Sequence, residues 1–237
     1  MPAKYRDIFT PLAAELNANV NPYAEKLHAL ENAEASNLFA GRKLLNCQGN
    51  WPQLFRARSA DMQEPLHLIL EIGAHHGRVI NQMARENAPD YAFLGMDITL
   101  KRVVTTAQSA QAEGNSNVFS ILGDARQVPR IFAPQELAGA FCFFPDPWEK
   151  KKRQRKHRLL NDAFASSLLT VVRQGGIFWL KTDSADYADF AQRSFESAGW
   201  SVCCKPLKGP FAGKYVSNFE SMFESQGVGH YEVFCQR

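Results

Sequence analysis

Asp146 is the side chain whose setting most restricts what this chain can do. It stands in Phe144-Pro145-Asp146-Pro147-Trp148, after the apolar run Phe141-Cys142-Phe143 and ahead of seven lysines and arginines between positions 150 and 158. The apolar run reads as a buried strand, and each flanking proline holds φ near about −65°. A carboxylate is therefore delivered rigidly at a strand exit. Aromatic rings and cations beside it suit a flat polar ring carried on a polyanion, which describes a base within a nucleic acid. The plain alternative is a turn followed by a solvated basic face.

Further acids fall at comparable places. Leu68-Ile69-Leu70-Glu71-Ile72-Gly73 runs into a turn closed by Gly77. The glycines permit a tight turn and a close approach of the next helix to its strand. The spacing is E-x-G-x-x-x-G, not the G-x-G-x-x-G of dinucleotide sites. Asp97 closes a second strand in Gly95-Met96-Asp97-Ile98, and Asp124 follows a third in Leu122-Gly123-Asp124-Ala125. Asp97 lies about 24 residues past Gly73, close to where doubly wound folds place the acid that holds ribose hydroxyls. Asp124 is placed to accept from an adenine amino group. Any one of these acids could instead cap the helix that follows it. Three at successive strand ends make a nucleoside-binding edge.

These residues need a frame that sets strand ends side by side. Short apolar runs at 66–72, 91–96, 118–122, 139–144 and 176–180 alternate with amphipathic segments at 78–87, 100–113, 161–174 and 184–198. Near-continuous apolar strands separated by helices predict an α/β protein with a mostly parallel sheet covered on both faces. A last pair of strands near 200–204 and 231–235 would complete seven. Residues 1–60 lack strand character, and 21–45 reads as helical. The expectation is a helical extension over 1–60 and a main domain over 61–237, packed as one unit.

Composition sets outer bounds. The 237 residues are 45% hydrophobic, with 17 Phe and 4 Trp, enough for one large core. The net charge is only +3, so the local basic block says more than the total. Five cysteines with no C-x-x-C pair argue against a disulfide framework or a zinc site, and Cys142 reads as a small core residue. The histidines show no metal-ligand spacing, so no metal is assigned. No apolar run reaches the ~18 residues needed to span a bilayer. No charged leader precedes an apolar segment at the N-terminus. A cytoplasmic setting without membrane attachment is the expectation.

With these motifs assembled, residues 66–237 resemble the bacterial tRNA (guanine-N7)-methyltransferase family. The most specific part is Phe144-Pro145-Asp146-Pro147-Trp148 with Lys150 and the cations behind it. Leu180-Lys181-Thr182-Asp183, followed by Tyr187, is similar to that family's T-D strand end. Ser217-Asn218-Phe219-Glu220, with Gly227 downstream, is similar to its T-x-[YF]-E signature. The resemblance implies a Rossmann-like class I fold, S-adenosylmethionine as cofactor and tRNA as partner. It implies methyl transfer to N7 of the variable-loop guanine, tRNA position 46. Carried over by position, Glu71, Gly73, Asp97 and Asp124 would hold the cofactor, and Asp146 would sit between cofactor and base. Lys150, Asp183, Ser217, Phe219 and Glu220 would bind the substrate. Two departures stand out. Ala74-His75-His76 fills a turn in which the family has a glycine at the place of His75, and the basic run is one residue longer. The rival expectation is a divergent RNA-binding relative with weak or lost cofactor binding.

Overall fold

A computed structural model describes residues 23–32, 36–149 and 152–237. Eight strands form one sheet. They are β1 (Leu38–Phe39), β2 (His67–Ile72), β3 (Tyr91–Asp97), β4 (Val118–Leu122), β5 (Leu137–Phe143), β6 (Val172–Thr182), β7 (Ser201–Cys203) and β8 (Tyr231–Gln236). Their order is β1-β4-β3-β2-β5-β6-β8-β7; β7 and β8 are antiparallel additions to a parallel body. The helices are α1 (Tyr23–Asn32), α2 (Trp51–Arg58), α3 (Arg78–Asn87), α4 (Leu100–Ala112), α5 (Val128–Ile131), α6 (Asp162–Val171), α7 (Ala185–Ser197) and α8 (Asn218–Ser225).

Side chains alternate across each strand, so both faces of β2 must be apolar to be covered. Leu68 and Leu70 pack on one face with Phe119, Leu168 and Phe178. Ile69 packs on the other with Ile80, Phe93, Phe141 and Trp179. From β2 the chain winds outward through β3 and β4, then returns to place β5 against the opposite side of β2. The winding reverses between β2 and β5, where Glu71 is level with Phe141 and Ile72 with Cys142. Open α/β sheets bind ligands beyond the carboxyl ends of their strands at such a reversal.

Two expectations are corrected. The sheet has eight strands, not seven, because Leu38 and Phe39 pair in parallel with Ser120 and Ile121. Two residues are too short to show period-two alternation, and the free edge of β4 supplies the pairing. The described residues just before position 60 pack into the core. Phe55 stacks on Phe119 with ring centroids 3.8 Å apart, and the Trp51 indole donates to the Ile131 carbonyl at 3.1 Å. Glu136 accepts from the backbone of Gly49 and Trp51, tying the start of α2 to the β5 side. Second, α6 ends at Val171, three residues before the expected helix end, and passes directly into β6 at Val172. The register with β5 shifts between Leu137 and Gly139 and absorbs the extra residues.

Candidate active site

The turn after β2 forms the floor. Gly73 (φ +81°) and Gly77 (φ +78°) lie in the left-handed region that favours glycine. A Cβ on Gly77 would sit 2.9 Å from both the Asn81 amide and the Thr106 methyl, so this turn cannot carry a side chain there. Buried Asn81 donates to the Gly77 carbonyl at 2.9 Å and accepts from Asn115 at 2.9 Å, which holds the turn against α3. His75 also takes a positive φ, +51°. The backbone thus follows the path a glycine would take, and the imidazole leans on His76 and meets the Phe219 ring edge-on at 5.3 Å. Burial, His76 and Arg102 together hold its pKa below the ordinary histidine value.

Above this turn lies a cavity of about 250 Å³ at the β2/β5 reversal. Its wall includes Gly73, His75, Asp97, Asp124, Asp146 and Phe219. Asp97, buried at the end of β3, accepts from Thr99 N at 2.8 Å and faces Arg102 at 3.4 Å. Asp124 accepts from Arg126 N and pairs with its guanidinium at 3.0 Å. Its capping role is therefore real, and it coexists with a place in the cavity wall. Exposed Ile98 and buried Phe143 supply apolar surface between the acids. Two strand-end carboxylates, an apolar slot and a glycine turn fit a nucleoside joined to a small charged chain.

The loop after β5 closes another side. Phe144 (φ +53°) and Trp148 (φ +49°) are both left-handed, so the loop bends at each end and Asp146 projects between the bends. Phe144 N donates to the Lys181 carbonyl at 2.8 Å. Trp148 lines the cavity, and His157 lies against it at 5.4 Å. A short 3-10 helix, Lys152–His157, follows with Arg153, Arg155 and Lys156 exposed. Lys150 lies outside the described residues.

Four expected site residues fall elsewhere. Glu71 is buried beneath the turn, outside the cavity wall. Burial raises its pKa to about 8; the Ile80 N–H it accepts opposes the rise, and Asp97 adds to it. Asp183 follows β6, half-buried, and does not reach the wall. Ser217 caps α8, its hydroxyl accepting from Glu220 N at 3.0 Å. Glu220 is almost wholly buried and completes the capping box through Ser217 N. Both its oxygens accept from Lys181 Nζ at 2.9 Å. The carboxylate expected to read a base edge is thus committed to an ion pair. Phe219, next to it, is the residue α8 presents to the cavity. Arg158, at the end of the basic run, is only 1% exposed and so does not join a solvated face.

Sequence reasoning missed Arg102, Arg126 and His157 in the wall. The first two stand five and two residues past their acids, spacings that carry no helix or strand signature by themselves. Cys142 lines the cavity, but burial, with Glu71 nearby, pushes its thiol far above the ordinary range, which removes it as a nucleophile.

Sheet order, reversal point and glycine turn define a class I methyltransferase fold. The 16S rRNA methyltransferase KamB shares it with a TM-score of 0.55 at 15% identity, over 78% of this chain and 92% of that one. A SAM-dependent methyltransferase from Aquifex aeolicus does so with a TM-score of 0.50 at 12% identity, over 89% and 96%. Residues 65–232 match the family model described as "Putative methyltransferase". A tRNA (guanine-N(7)-)-methyltransferase of Nitrosococcus oceani is 34% identical over 171 residues, 71% of each chain. That of Bacillus subtilis is 27% identical over 189 residues, 78% of this chain and 84% of its own. The chain belongs to the tRNA (guanine-N7)-methyltransferase family.

Proposed function

We infer that this protein transfers a methyl group from S-adenosylmethionine to N7 of a guanine in tRNA, and specifically to the variable-loop guanine at position 46. The observation that carries this reading is the convergence of Asp97, Asp124 and Asp146 on one cavity at the strand reversal, with exposed cations directly behind. A cytoplasmic setting goes with it. Among the described residues no helix is long and apolar enough to cross a membrane.

Asp97 and Asp124 would hold the ribose hydroxyls and the adenine amino group of the cofactor, and Ile98 and Phe143 offer it apolar surface. Gly73 and His75 would border its methionine end. Glu71 keeps the turn in place from below. When bound, the cofactor supplies an electrophilic methyl on a positively charged sulfur. Guanine N7 carries an in-plane lone pair and no proton, so the residues need not remove one. Their task is alignment, which by itself accounts for a large part of such a barrier. Asp146 stabilises the positive charge that grows on the base as the methyl arrives. Trp148 and Phe219 flank the base, and its N1–H and N2–H₂ edge is left toward Asp183, beyond the cavity wall. Lys150, Arg153, Arg155 and Lys156 hold phosphates while the guanine leaves its stack.

The test is incubation with unmodified tRNA and methyl-labelled cofactor, followed by nucleoside digestion. Labelled 7-methylguanosine is expected, falling about 100-fold or more in Asp146→Ala. An Asp146→Ala protein as active as the native one would sink the mechanism. Retained tRNA binding with no labelled product from the native protein would instead support the divergent RNA-binding reading.

A further inference from the structure

Arg158 ends a run of cations whose described members otherwise face solvent, yet it is among the most deeply buried side chains in the molecule. Burying a guanidinium is costly unless its charge and donors are met. They are met here by residues of two elements that also frame the site. Arg158 Nε donates to the Pro147 carbonyl at 2.8 Å. One terminal nitrogen pairs with Asp186 in the first turn of α7 and lies 3.6 Å from Glu149. The planar face packs 4.9 Å from the Tyr187 ring and 5.0 Å from the Phe190 ring, and Tyr187 itself lines the cavity. Glu149 in turn accepts from the Ser184 hydroxyl, which caps α7.

The position of the Pro147 bond matters. The loop of residues 144–149 has a left-handed non-glycine residue on each side of Asp146. Such backbone persists only where its surroundings over-determine it. At the Phe144 end the tie is the bond to the Lys181 carbonyl. At the Trp148 end it is Arg158. The guanidinium can serve Pro147 and Asp186 together because its donors diverge in a fixed plane, which a lysine ammonium cannot reproduce.

We propose that Arg158 is a positioning residue for methyl transfer, latching the Asp146 loop to α7 so that the carboxylate stands at the base. The proposal rests on the reading of Asp146 given above. Displacing a reacting group by about 1 Å costs on the order of 100-fold in rate, so a slack loop should lower kcat and leave substrate affinity almost alone.

The experiment compares Arg158→Lys and Asp186→Asn with the native protein. It reads kcat, the KM for tRNA and for cofactor, and backbone amide exchange across residues 146–149. In Arg158→Lys, kcat should fall about 100-fold with both KM values within about threefold, and exchange in the loop should quicken. Asp186→Asn keeps the Pro147 bond and should show the same pattern with a smaller fall. A Lys variant with native kcat overturns the proposal, as does a parallel loss of kcat, cofactor affinity and folded fraction, which marks a merely structural arginine. If Arg158→Lys shows no folding transition, Asp186→Asn decides: lower kcat at unchanged KM supports the latch, and native kcat overturns it. If the native protein makes no 7-methylguanosine, the functional reading fails separately. Loop exchange still judges the latch in that case, and unchanged exchange overturns it.

Discussion

Glu220 and Lys181 offer the sharpest test of what the C-terminal signature does. Each side chain is 4% exposed, and Nζ sits 2.9 Å from both carboxylate oxygens. Nζ also donates to the Tyr215 carbonyl at 2.8 Å and lies 5.0 Å from the Phe143 ring. Removing one partner leaves a buried charge uncompensated, which typically costs about 3–5 kcal/mol. Glu220→Gln should fall at the low end, because the amide oxygen still meets Lys181 and Ser217 N. Lys181→Met strands the carboxylate with only Ser217 N and His230, the latter 3.6 Å away, and should cost as much or more. The double variant carries no charge at this buried pair and should recover most of the loss, a coupling of about 3 kcal/mol. Urea unfolding of all four proteins at pH 7 measures this directly. Methyl transfer to tRNA then separates two roles for Glu220. If it anchors α8 so that Phe219 faces the cavity, activity returns with stability in the double variant. Additive stability losses would refute the anchor. A stable double variant that no longer methylates guanine would return Glu220 to base recognition.

Two further outcomes are expected. Folding keeps the Glu71 proton on up to about pH 8, while the unfolded chain loses it near 4.5. Stability is therefore undiminished below about 4.5 and falls by up to about 1.4 kcal/mol per pH unit as pH rises to about 8. Glu71→Gln should abolish that decline in urea midpoints taken at pH 5, 6.5 and 8, and parallel native and variant profiles would refute it. His75→Gly should bind S-adenosylmethionine at least as tightly as the native protein by calorimetry, because the His75 backbone already follows a left-handed path that glycine adopts freely, and the change removes only a side chain from the cavity wall. A tenfold weaker affinity would show that the His75 imidazole itself contributes to cofactor binding.

What the sequence made legible follows from where the determining forces are local. The strands β2 to β6 are apolar on both faces, so short hydrophobic runs betray them without any partner. Asp97, Asp124 and Asp146 each follow such a run within a residue or three. Once the strands are placed in parallel, these acids share an edge. Strand β1 was hidden for the opposite reason. Leu38-Phe39 has no pattern of its own, and its strand character comes entirely from the edge of β4, some 80 residues away.

Two charged side chains have partners that the sequence does not show. A charged side chain reads the same in sequence whether it meets solvent, a ligand or a buried partner, and the difference is decided by residues far along the chain. Glu220 looks like a ligand-reading acid until β6 brings Lys181 against it from 39 positions away. Arg158 looks like the last of several phosphate contacts until α7 brings Asp186 from 28 positions away. In both cases the burial is what gives the charge its meaning. A surface ion pair contributes about 0–1 kcal/mol and tolerates slack, whereas a buried, multiply bonded charge fixes its neighbours in place. The two buried cations of this site each hold a segment that faces the cavity, Lys181 the start of α8 with Phe219 and Arg158 the loop with Asp146. The exposed cations beside them remain available to a polyanion. Within one stretch of basic sequence, then, Arg158 turns inward to buried partners while Arg153, Arg155 and Lys156 stay exposed, and only the direction in which each side chain turns separates the two.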